Sequence, residues 1–225
     1  MHDKLFDGWA ERYDRWFETP AGKLVKKFEE ELILEFLEPQ RTELILDAGC
    51  GTGVFTIDIL RAGAGVVGID VSAAMLRQAV DKAEGLPLSA VTADMMTLPF
   101  SSGTFDKVVS ITAMEFIADA PHALSELFRV VKKRGHVVVA TLNSLGPWAE
   151  RRKAQAEEQK NSIFRHAIFR SPGELLACSD VPGVVKTAIH FSADDTPEHA
   201  TAVELQGRKE RWQTGAFVAA CWRKL

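Results

Sequence analysis

The sequence predicts a single α/β domain built on an open, doubly wound and mostly parallel sheet of seven strands, with an antiparallel last strand and an N-terminal helical cap. From Thr42 to Asn143, apolar runs of strand length alternate with amphipathic segments of helix length, which is the pattern of βαβ units. Near-continuous Val, Ile and Leu within the runs is typical of strands covered on both faces. A chain of 225 residues is near the upper size of one domain.

Three regions are expected along the chain. Residues 1–39 form the helical cap, residues 40–145 form the ligand-binding core of the sheet, and residues 146–225 supply further helices and the closing strands. No internal repeat or low-complexity tract separates them. The three regions are therefore expected to share one domain.

The core region contains five strand-like runs, at 43–49, 64–70, 88–94, 105–111 and 136–143. Each helix between them has a start or stop signal. The first helix, Val54–Ala62, ends before Gly63, and Ser72 caps a second that runs to about Glu84. A third helix, Pro121–Lys133, ends in the sequence KKRG.

The flanking regions are predicted to be mainly helical. An amphipathic helix before the sheet runs until Pro39, because its apolar residues recur at a spacing of four: Leu24, Phe28, Leu32 and Phe36. After the sheet come a polar helix from Trp148 to about Lys160 and a short helix opened by the capping box of Ser171 and Glu174. Two late runs, 184–191 and 216–224, are predicted to close the sheet edge as an antiparallel pair.

Composition limits the possible partners and compartments. The net charge of −4, from 31 acidic against 27 basic residues, provides no basic footprint for nucleic acid. Charges interrupt the first residues every few positions, so neither a secretory signal nor a membrane span is expected, and the chain is interpreted as cytoplasmic. No metal site is predicted, because the six His are scattered and the three Cys are widely spaced: Cys50, Cys178 and Cys221.

A glycine-rich turn follows the first strand. The string LDAGCGTG starts at the end of the strand with Asp47 and continues through Gly49, Cys50, Gly51 and Gly53. Such a turn lets a ligand approach the backbone closely, with helix N–H groups directed at it. The dinucleotide spacing GxGxxG is absent, because Val54 and Thr56 stand where its third glycine would be. The carboxylate of Asp47 would repel a pyrophosphate but suits a ligand with an ammonium group and a sulfonium.

Three successive strands end in a carboxylate, at Asp47, Asp70 and Asp94. The carboxyl ends of strands form the edge at which open α/β sheets bind ligands. A carboxylate at the end of the second strand can accept hydrogen bonds from both hydroxyls of a ribose. One such acid is commonplace as a helix cap, but three in order predict a ligand site.

In this order the motifs resemble the class I S-adenosylmethionine (SAM) dependent methyltransferases, which have a Rossmann-like fold. Within that class they are most similar to the methyltransferase type 11 group that includes the ubiquinone and menaquinone biosynthesis enzymes. The resemblance covers residues 40–145: LDAGCGTG, then GIDVSAAML, then AD followed by LPFSSGTFDKVVS, and then AMEFIADAPHALSELFRVVKKRGHVVVATLN. It implies SAM as cofactor and S-adenosylhomocysteine as product.

The resemblance also implies roles for individual residues. The glycine-rich turn, with Gly49, Cys50 and Gly51, would line the methionine part of SAM, and Asp70 would hold the ribose. The adenine would lie beside Val71, with its amino group on Asp94 and its ring under Met95. Thr112 would flank the methionine moiety and the transferred methyl group.

The segment YDRWFETPAGK, 13–23, looks like a start seen in some members, in which an N-terminal segment closes over the cofactor. We expect Tyr13 to contact SAM and Thr19 to Gly22 to turn the chain back towards the core. The aromatic residues of the segment have two possible places: Trp9, Tyr13, Trp16 and Phe17. They form a lid over the site, or their spacing marks a helix packed permanently on the core.

No catalytic residue is predicted with a defined role. Because the sulfonium is already an excellent leaving group, methyl transfer requires mostly alignment and desolvation, with a base only for a nucleophile that carries a proton of high pKa. Tyr13 and Glu115 are weak candidates. Glu115 follows the fourth strand and either touches the acceptor or forms a helix-end ion pair.

The favoured hypothesis is a methyltransferase that acts on a small-molecule acceptor by direct in-line displacement. The sequence departs from the resembled family where Lys133, Arg134 and Gly135 replace its usual PGG, and it lacks the Pro-Pro-Tyr signature of amino methylation on bases. Three alternatives stay open: a methyltransferase of RNA or protein, a SAM-binding protein without turnover, and, by fold analogy, an NAD-dependent oxidoreductase. A basic groove would favour RNA: Arg151, Arg152, Lys153 and Arg165. Neither the acceptor nor the oligomeric state can be read from the sequence.

Overall fold

The computed structural model describes residues 10–158 and 162–225, with side chains from Tyr13 onward. The predicted cap residue Trp9 and the predicted helix end at Lys160 lie outside the described residues. The strands, helices and contacts given are those of the described residues.

Seven strands form one sheet in the order β3-β2-β1-β4-β5-β7-β6. The strands are β1 (Leu44–Ala48), β2 (Gly65–Asp70), β3 (Leu88–Thr92), β4 (Phe105–Ile111), β5 (Val131–Leu142), β6 (Gly183–Ala188) and β7 (Phe217–Arg223). Strands β1 to β5 run parallel to one another, whereas β7 runs antiparallel to both β5 and β6. The predicted Rossmann-like sheet with an antiparallel last strand is confirmed. Its strand order reverses between β1 and β4, where such sheets bind ligands.

Eight α-helices flank the sheet or precede it: α1 (Ala10–Glu18), α2 (Pro20–Leu37), α3 (Thr56–Arg61), α4 (Ala73–Lys82), α5 (Ala120–Val130), α6 (Ala149–Glu158), α7 (Pro172–Leu176) and α8 (Pro197–Glu210). Two 3₁₀ turns, Met114–Phe116 and Ile163–His166, follow β4 and α6. The sequence signals for two caps correspond to real hydrogen bonds. Ser72 accepts from the Met75 N–H, and Ser171 with Glu174 completes both halves of a capping box.

Two hydrophobic cores cover the two faces of the sheet. Helices α2, α3 and α8 pack on one face, and α5 and α7 pack on the other. The adjacent β4 residues Val108 and Val109 are both fully buried, yet each belongs to a different core. Successive side chains of a strand point to opposite faces, so a strand buried on both sides must be apolar throughout.

The junction between α5 and β5 differs from the prediction. The predicted helix end at Lys133 is wrong, since α5 ends at Val130 and β5 begins at Val131. The KKRG sequence forms an irregularity inside the strand pairing, which shifts register after Phe105 pairs with Val131. Gly135 is required there because a Cβ atom would lie 2.3 Å from the backbone oxygen of Asp106.

The chain reverses direction between α1 and α2 at Thr19–Gly22. The Thr19 hydroxyl caps α2 by accepting from the Gly22 N–H at 3.0 Å. A Cβ atom on Gly22 would lie 2.0 Å from the Trp16 carbonyl oxygen, so only glycine allows this approach. This tight turn places α1 beside α2 and carries α1 towards the carboxyl edge of the sheet.

A buried polar network ties α8 to the segment after β6. The Glu204 carboxylate is fully buried and accepts hydrogen bonds from the backbone and the ring of His190, at 2.9 and 3.0 Å, and from Arg208 at 2.7 Å. Burial alone would raise the pKa of Glu204, but these donors outweigh it and hold that pKa below its usual range. The ionised carboxylate therefore stabilises the native state.

We expect Glu204→Gln to lower the free energy of unfolding by about 2 to 3 kcal/mol, because a buried donor loses its acceptor. Chemical denaturation measures this change, and Glu198→Gln, on the exposed start of the same helix, is the matched control. Because the pKa is depressed, the contribution is present above the ordinary pKa of about 4.3 and is lost as the pH falls through the native value. An acid-induced loss of stability that is identical in the variant and the wild type would contradict this account.

Candidate functional site

A cavity of about 380 Å³ opens at the carboxyl edge of the sheet, beside the point where the strand order reverses. Its walls come from the segments that follow β1, β2, β3 and β4, together with α1 and the 3₁₀ turn after α6. The volume lies in the range of small-ligand sites. The fold therefore places its concave surface where parallel α/β sheets bind ligands.

Ten of the eleven predicted cofactor-binding residues line this cavity: Tyr13, Asp47, Gly49, Cys50, Gly51, Asp70, Val71, Asp94, Met95 and Thr112. The eleventh, Gly53, is not part of the lining. A Cβ atom on Gly53 would lie 3.0 Å from the Ala79 side chain, so this glycine allows the turn to pack against α4.

The glycine-rich turn is folded back onto β2. The N–H groups of Gly49 and Cys50 both donate to the Ile69 carbonyl, at 2.8 and 2.9 Å. Gly49 has φ of +79°, and a Cβ atom there would lie 2.4 Å from the Ala113 side chain. Gly51 also has a positive φ, but its missing Cβ position faces open space. The turn thus needs glycine for its conformation and leaves room for a ligand against its backbone.

Asp70 is held at the end of β2 by two backbone donors. One carboxylate oxygen accepts from the Gly51 N–H and the other from the Ser72 N–H, both at 2.9 Å. The side chain is half-buried and lines the cavity. A carboxylate has about four lone-pair positions, and these two bonds fix its orientation at the edge of the cavity.

Asp47 is buried and incompletely paired. One carboxylate oxygen accepts from the Thr56 hydroxyl at 2.6 Å, and the other has no hydrogen-bond partner among the described residues. Burial raises the pKa of Asp47 to about 7; the Thr56 bond lowers it and the charge of Asp70 raises it. An unpartnered buried oxygen beside a cavity fits a ligand that brings a cationic donor.

Asp94 and Met95 form the wall beyond β3. Asp94 is exposed and accepts from the Met96 N–H at 2.8 Å, which leaves its other oxygen at the mouth of the cavity. Met95 is buried and lies under the glycine-rich turn, close to Gly49. A polar rim beside a polarisable thioether is a surface on which a flat aromatic ring can lie.

Thr112 carries unusual backbone geometry at the end of β4. Its φ is +48°, in the left-handed region that a β-branched residue rarely adopts, and its N–H donates to Ala140 at 2.8 Å. Strain of this kind costs about 1 to 3 kcal/mol and clusters at functional sites. Its hydroxyl lies 3.3 Å from the hydroxyl of Tyr13, which reaches the cavity from α1.

Helix α1 lies at one side of the cavity, and its aromatic residues either line the cavity or pack against other rings. Tyr13 lines the cavity, while the Phe17 ring lies edge-on against Phe55 with centroids 5.9 Å apart. Trp16 meets Trp148 in the same way at 6.4 Å. Burial raises the pKa of Tyr13 above its usual value, so the phenol is a neutral hydrogen-bond donor or acceptor at any physiological pH. In this structure, Tyr13 therefore lies at the cavity and Phe17 packs on the core, while closure of α1 over a ligand stays a prediction.

Glu115 lies behind the cavity wall rather than on its surface. It is buried and absent from the lining, although its neighbours Ala113 and Phe116 belong to it. One carboxylate oxygen accepts from Thr141 at 3.0 Å, and the other has no partner among the described residues. Burial raises its pKa to about 7. The expected helix-end ion pair is not formed by Glu115 in the described part of the chain.

Two charged residues near Glu115 were missed from the sequence. Glu29 of α2 is buried, and this burial raises its pKa to about 8. Arg152 of α6 lies between the rings of Trp148 and Phe164, at 5.5 and 5.9 Å from their centroids, and its Nη1 has no partner among the described residues. Glu29 could have been found, because it falls on the apolar face of α2 between Val25 and Ile33. Arg152 could not, since α6 reads as polar throughout.

The residues of the possible basic groove share one surface only in part. Lys153 and Arg165 line one cavity beside α6, where Lys153 pairs with Glu150 at 2.9 Å. Arg151 pairs with Asp194 at 3.4 Å, and Arg152 lies between the rings of Trp148 and Phe164. Phosphate binding needs several cations on a common face, and among the described residues only two of the four line this cavity.

The remaining apolar lining was also missed, because it comes from segments without a motif. Phe116 and Ile117 follow β4, and Ile163 lies far along the chain in the turn after α6. Nothing local to Ile163 marks it as a site residue. Its position depends on how α6 packs.

Other kinds of site find no support in the described residues. No group of three or more His, Cys, Asp and Glu side chains is placed to share a metal ion, and no described helix is long and apolar enough to span a membrane. Burial raises the pKa of the Cys50 thiol well above its usual value, which opposes a nucleophilic role beside the cavity.

Comparison with known proteins supplies the family. Residues 45–135 match the methyltransferase domain family. The chain is 35% identical over 222 residues to the demethylmenaquinone methyltransferase of Streptomyces avermitilis, a match that covers 98% of this chain and 87% of that protein. It is 37% identical over 158 residues to a malonyl-[acyl-carrier protein] O-methyltransferase of Halorhodospira halophila, covering 65% of this chain and 52% of that protein.

Solved structures of SAM-dependent methyltransferases share this fold. A SAM-dependent methyltransferase of Thermotoga maritima, described as a possible histamine N-methyltransferase, superposes with a TM-score of 0.73 at 19% identity, covering 98% of this chain and 99% of that one. At that identity the likeness concerns the fold, while the nearly full-length match to the Streptomyces enzyme shows the family. This chain belongs to the class I SAM-dependent methyltransferases, and SAM is its cofactor.

Proposed function

We propose that this enzyme transfers the SAM methyl group to a small, uncharged and largely apolar acceptor. The observation that carries the proposal is the division of the cavity into two chemically different parts. The part next to β1, β2 and β3 holds the carboxylates Asp47, Asp70 and Asp94. The part next to β4 is lined mainly by apolar side chains, among them Phe116, Ile117 and Ile163, with Thr112 and Asp119 as its polar residues. A cationic nucleoside suits the first part and an apolar acceptor suits the second.

The cofactor is proposed to lie along the first part. Its ammonium group would meet the unpartnered oxygen of Asp47, and its ribose hydroxyls would donate to Asp70, whose orientation is already fixed. The adenine would lie between Val71 and Met95, with its amino group on Asp94. These placements follow the chemistry of each group: a buried anion for a cation, a held carboxylate for a diol, and an apolar slot for a ring.

The methyl group would then face the part next to β4. The methionine moiety would run along the open backbone of Gly51 towards Thr112, with Tyr13 covering it from α1. Transfer requires an in-line approach of the acceptor and exclusion of water from the sulfonium. In this role Tyr13 excludes water and offers a neutral hydroxyl.

The charge behind the apolar part supports an uncharged acceptor. Glu29 and Glu115 lie near Arg152, since each carboxylate acts on the guanidinium and raises its pKa, against the larger lowering by burial. One cation facing two partly protonated acids leaves little net charge to attract either an anionic or a cationic acceptor. Glu115 is proposed to act through this field, because it does not reach the cavity surface.

The relatives do not settle the acceptor, since their names give a demethylmenaquinone, a malonyl-[acyl-carrier protein] and, as a possibility, histamine as acceptors. The acceptor experiment is incubation of a metabolite extract with methyl-labelled SAM, followed by mass spectrometry. We expect the label in small molecules that partition into organic solvent at neutral pH. Wild-type protein heated beyond unfolding is the control. Label found only in RNA or in protein would overturn the small-molecule proposal and favour the alternative classes.

The ribose placement predicts a selective loss of binding in Asp70→Ala. We expect SAM affinity to fall by about 1.5 to 3 kcal/mol, the range for hydrogen bonds to a charged group, with the fold intact. Calorimetry with SAM and S-adenosylhomocysteine measures the change, and NADH should not compete. Asp81→Ala, at an exposed position on α4, is the matched control and should bind as the wild type does. Unchanged affinity in folded Asp70→Ala would remove the ribose assignment.

The ammonium placement predicts a pH dependence that belongs to Asp47. Its pKa of about 7 in the free protein means that the carboxylate is largely protonated at pH 6 and ionised at pH 7.5. A ligand cation favours the ionised form, so S-adenosylhomocysteine should bind roughly fivefold to tenfold more tightly at pH 7.5 than at pH 6. Asp47→Asn should bind more weakly and lose this dependence. A slope that persists in the variant would assign the titration to another group.

A further inference from the structure

One carboxylate joins three elements at the edge of the site. Asp14 of α1 accepts from the hydroxyl of Thr52, in the glycine-rich turn, at 2.6 Å with one oxygen. Its other oxygen pairs with Lys82, at the end of α4, at 2.6 Å. Lys82 also donates to the backbone carbonyl of Thr52 at 2.9 Å, which closes the set into a ring. We call these three residues the latch.

The latch differs from an ordinary surface ion pair. Isolated exposed pairs contribute little, because two long side chains must be ordered in water. Here Thr52 is fully buried, and the side chains of Asp14 and Lys82 keep only 23% and 34% of their exposure. Each oxygen of the carboxylate has a different partner, so the position of α1 is fixed in direction as well as in distance.

The latch joins two elements that line the cavity, the glycine-rich turn and helix α1. Thr52 stands between Gly51 and Gly53, which both have positive φ, so fixing Thr52 fixes the turn that lines the cavity. On the other side, Tyr13 immediately precedes Asp14 and reaches the cavity with its ring. Movement of α1 away from the site would break the bond from Thr52 and release Tyr13 together.

The ring contacts of α1 do not have this directional character. Phe17 against Phe55 and Trp16 against Trp148 have centroids 5.9 and 6.4 Å apart. Such packing tolerates sliding, whereas hydrogen bonds of 2.6 Å to a buried hydroxyl do not. The rings hold α1 on the protein, and the latch positions Tyr13 together with the longer, 3.3 Å hydrogen bond between the Tyr13 and Thr112 hydroxyls.

We propose that Asp14 is a positioning residue that latches α1 over the cofactor site, so that closure of α1 and the shape of the cofactor-binding turn are one event. The inference rests on the cofactor placement proposed above. Binding of the cofactor should then order α1, and loss of the latch should weaken cofactor binding although no latch residue touches the cofactor. The latch therefore couples the lid to the turn in both directions.

Charge reversal tests the pair. We expect Asp14→Lys and Lys82→Asp each to weaken S-adenosylhomocysteine binding by about tenfold, because each places like charges together and leaves Thr52 with a poorer partner. The double variant should bind more tightly than either single variant, since the opposite charges meet again, but more weakly than the wild type, because Asp at position 82 cannot donate to the Thr52 carbonyl. Calorimetry measures the affinities, and thermal denaturation shows that each variant is folded.

A second readout follows α1 itself. S-adenosylhomocysteine should slow tryptic cleavage after Arg15 in the wild type and much less in Lys82→Asp, which leaves the trypsin sites of α1 unchanged. Lys82→Gln should weaken binding by about twofold to fivefold, the range for loss of one ion pair. Its control is Lys132→Gln, which breaks a pair of equal length with Asp106 at the opposite end of β4, and which should change neither affinity nor cleavage.

The outcomes separate the latch from the cofactor placement. Folded single variants that bind as the wild type does, or a double variant no better than the worse single one, would overturn the latch. So would bound S-adenosylhomocysteine that leaves cleavage after Arg15 unchanged in the wild type. Failure of the cofactor placement gives a different result. Asp70→Ala would then bind S-adenosylhomocysteine normally, while the latch variants would still expose α1 to trypsin.

Discussion

The site depends on the hydrogen bonds by which the turn after β1 is tied to the end of β2. Two consecutive N–H groups, from Gly49 and Cys50, converge on the Ile69 carbonyl, and the next, from Gly51, goes to Asp70. Parallel pairing of β1 with β2 brings these atoms together, and glycine conformations allow the chain to turn there. Loss of this closure would move the backbone that lines the cavity, the Asp70 carboxylate and, through Thr52, the anchor of α1.

The two parts of the site come from different levels of organisation. The part next to β1, β2 and β3 is built by short segments that leave adjacent parallel strands, so strand order alone brings Asp47 and Asp70 together. The part next to β4 needs α1 from one end of the chain and Ile163 from beyond α6. Variation around Ile163 can change the acceptor part without disturbing the cofactor turn, which is the usual way in which one fold serves many reactions. Helix α1 is different, because Asp14 ties it to that turn through Thr52.

This difference explains what the sequence could predict. The mostly parallel sheet and the three carboxylates were accessible because strand runs, glycine spacing and caps are local signals. One error has a local cause: the KKRG sequence reads as a helix end but forms an irregularity inside β5. Gly53 lies outside the cavity lining and lets the turn pack on α4. Arg152 was missed for a different reason. Its place between the rings of Trp148 and Phe164 depends on how α6 packs, which no spacing within that helix encodes. Glu29 was accessible, since it shares the buried face of α2 with Val25 and Ile33.

The electrostatics of the cavity give a physical reason for its selectivity towards a cation. Asp47 is buried, and burial, with a smaller contribution from the charge of Asp70, raises its pKa to about 7, so the free protein disfavours the ionised form of Asp47. In the placement proposed above, the ammonium group of the sulfonium nucleoside meets the unpartnered oxygen of Asp47 and reduces that cost. The demethylated product lacks the sulfonium charge and keeps only the ammonium. In the placement proposed above, the product therefore keeps the attraction of its ammonium group to Asp47 and loses only the part that comes from the sulfonium.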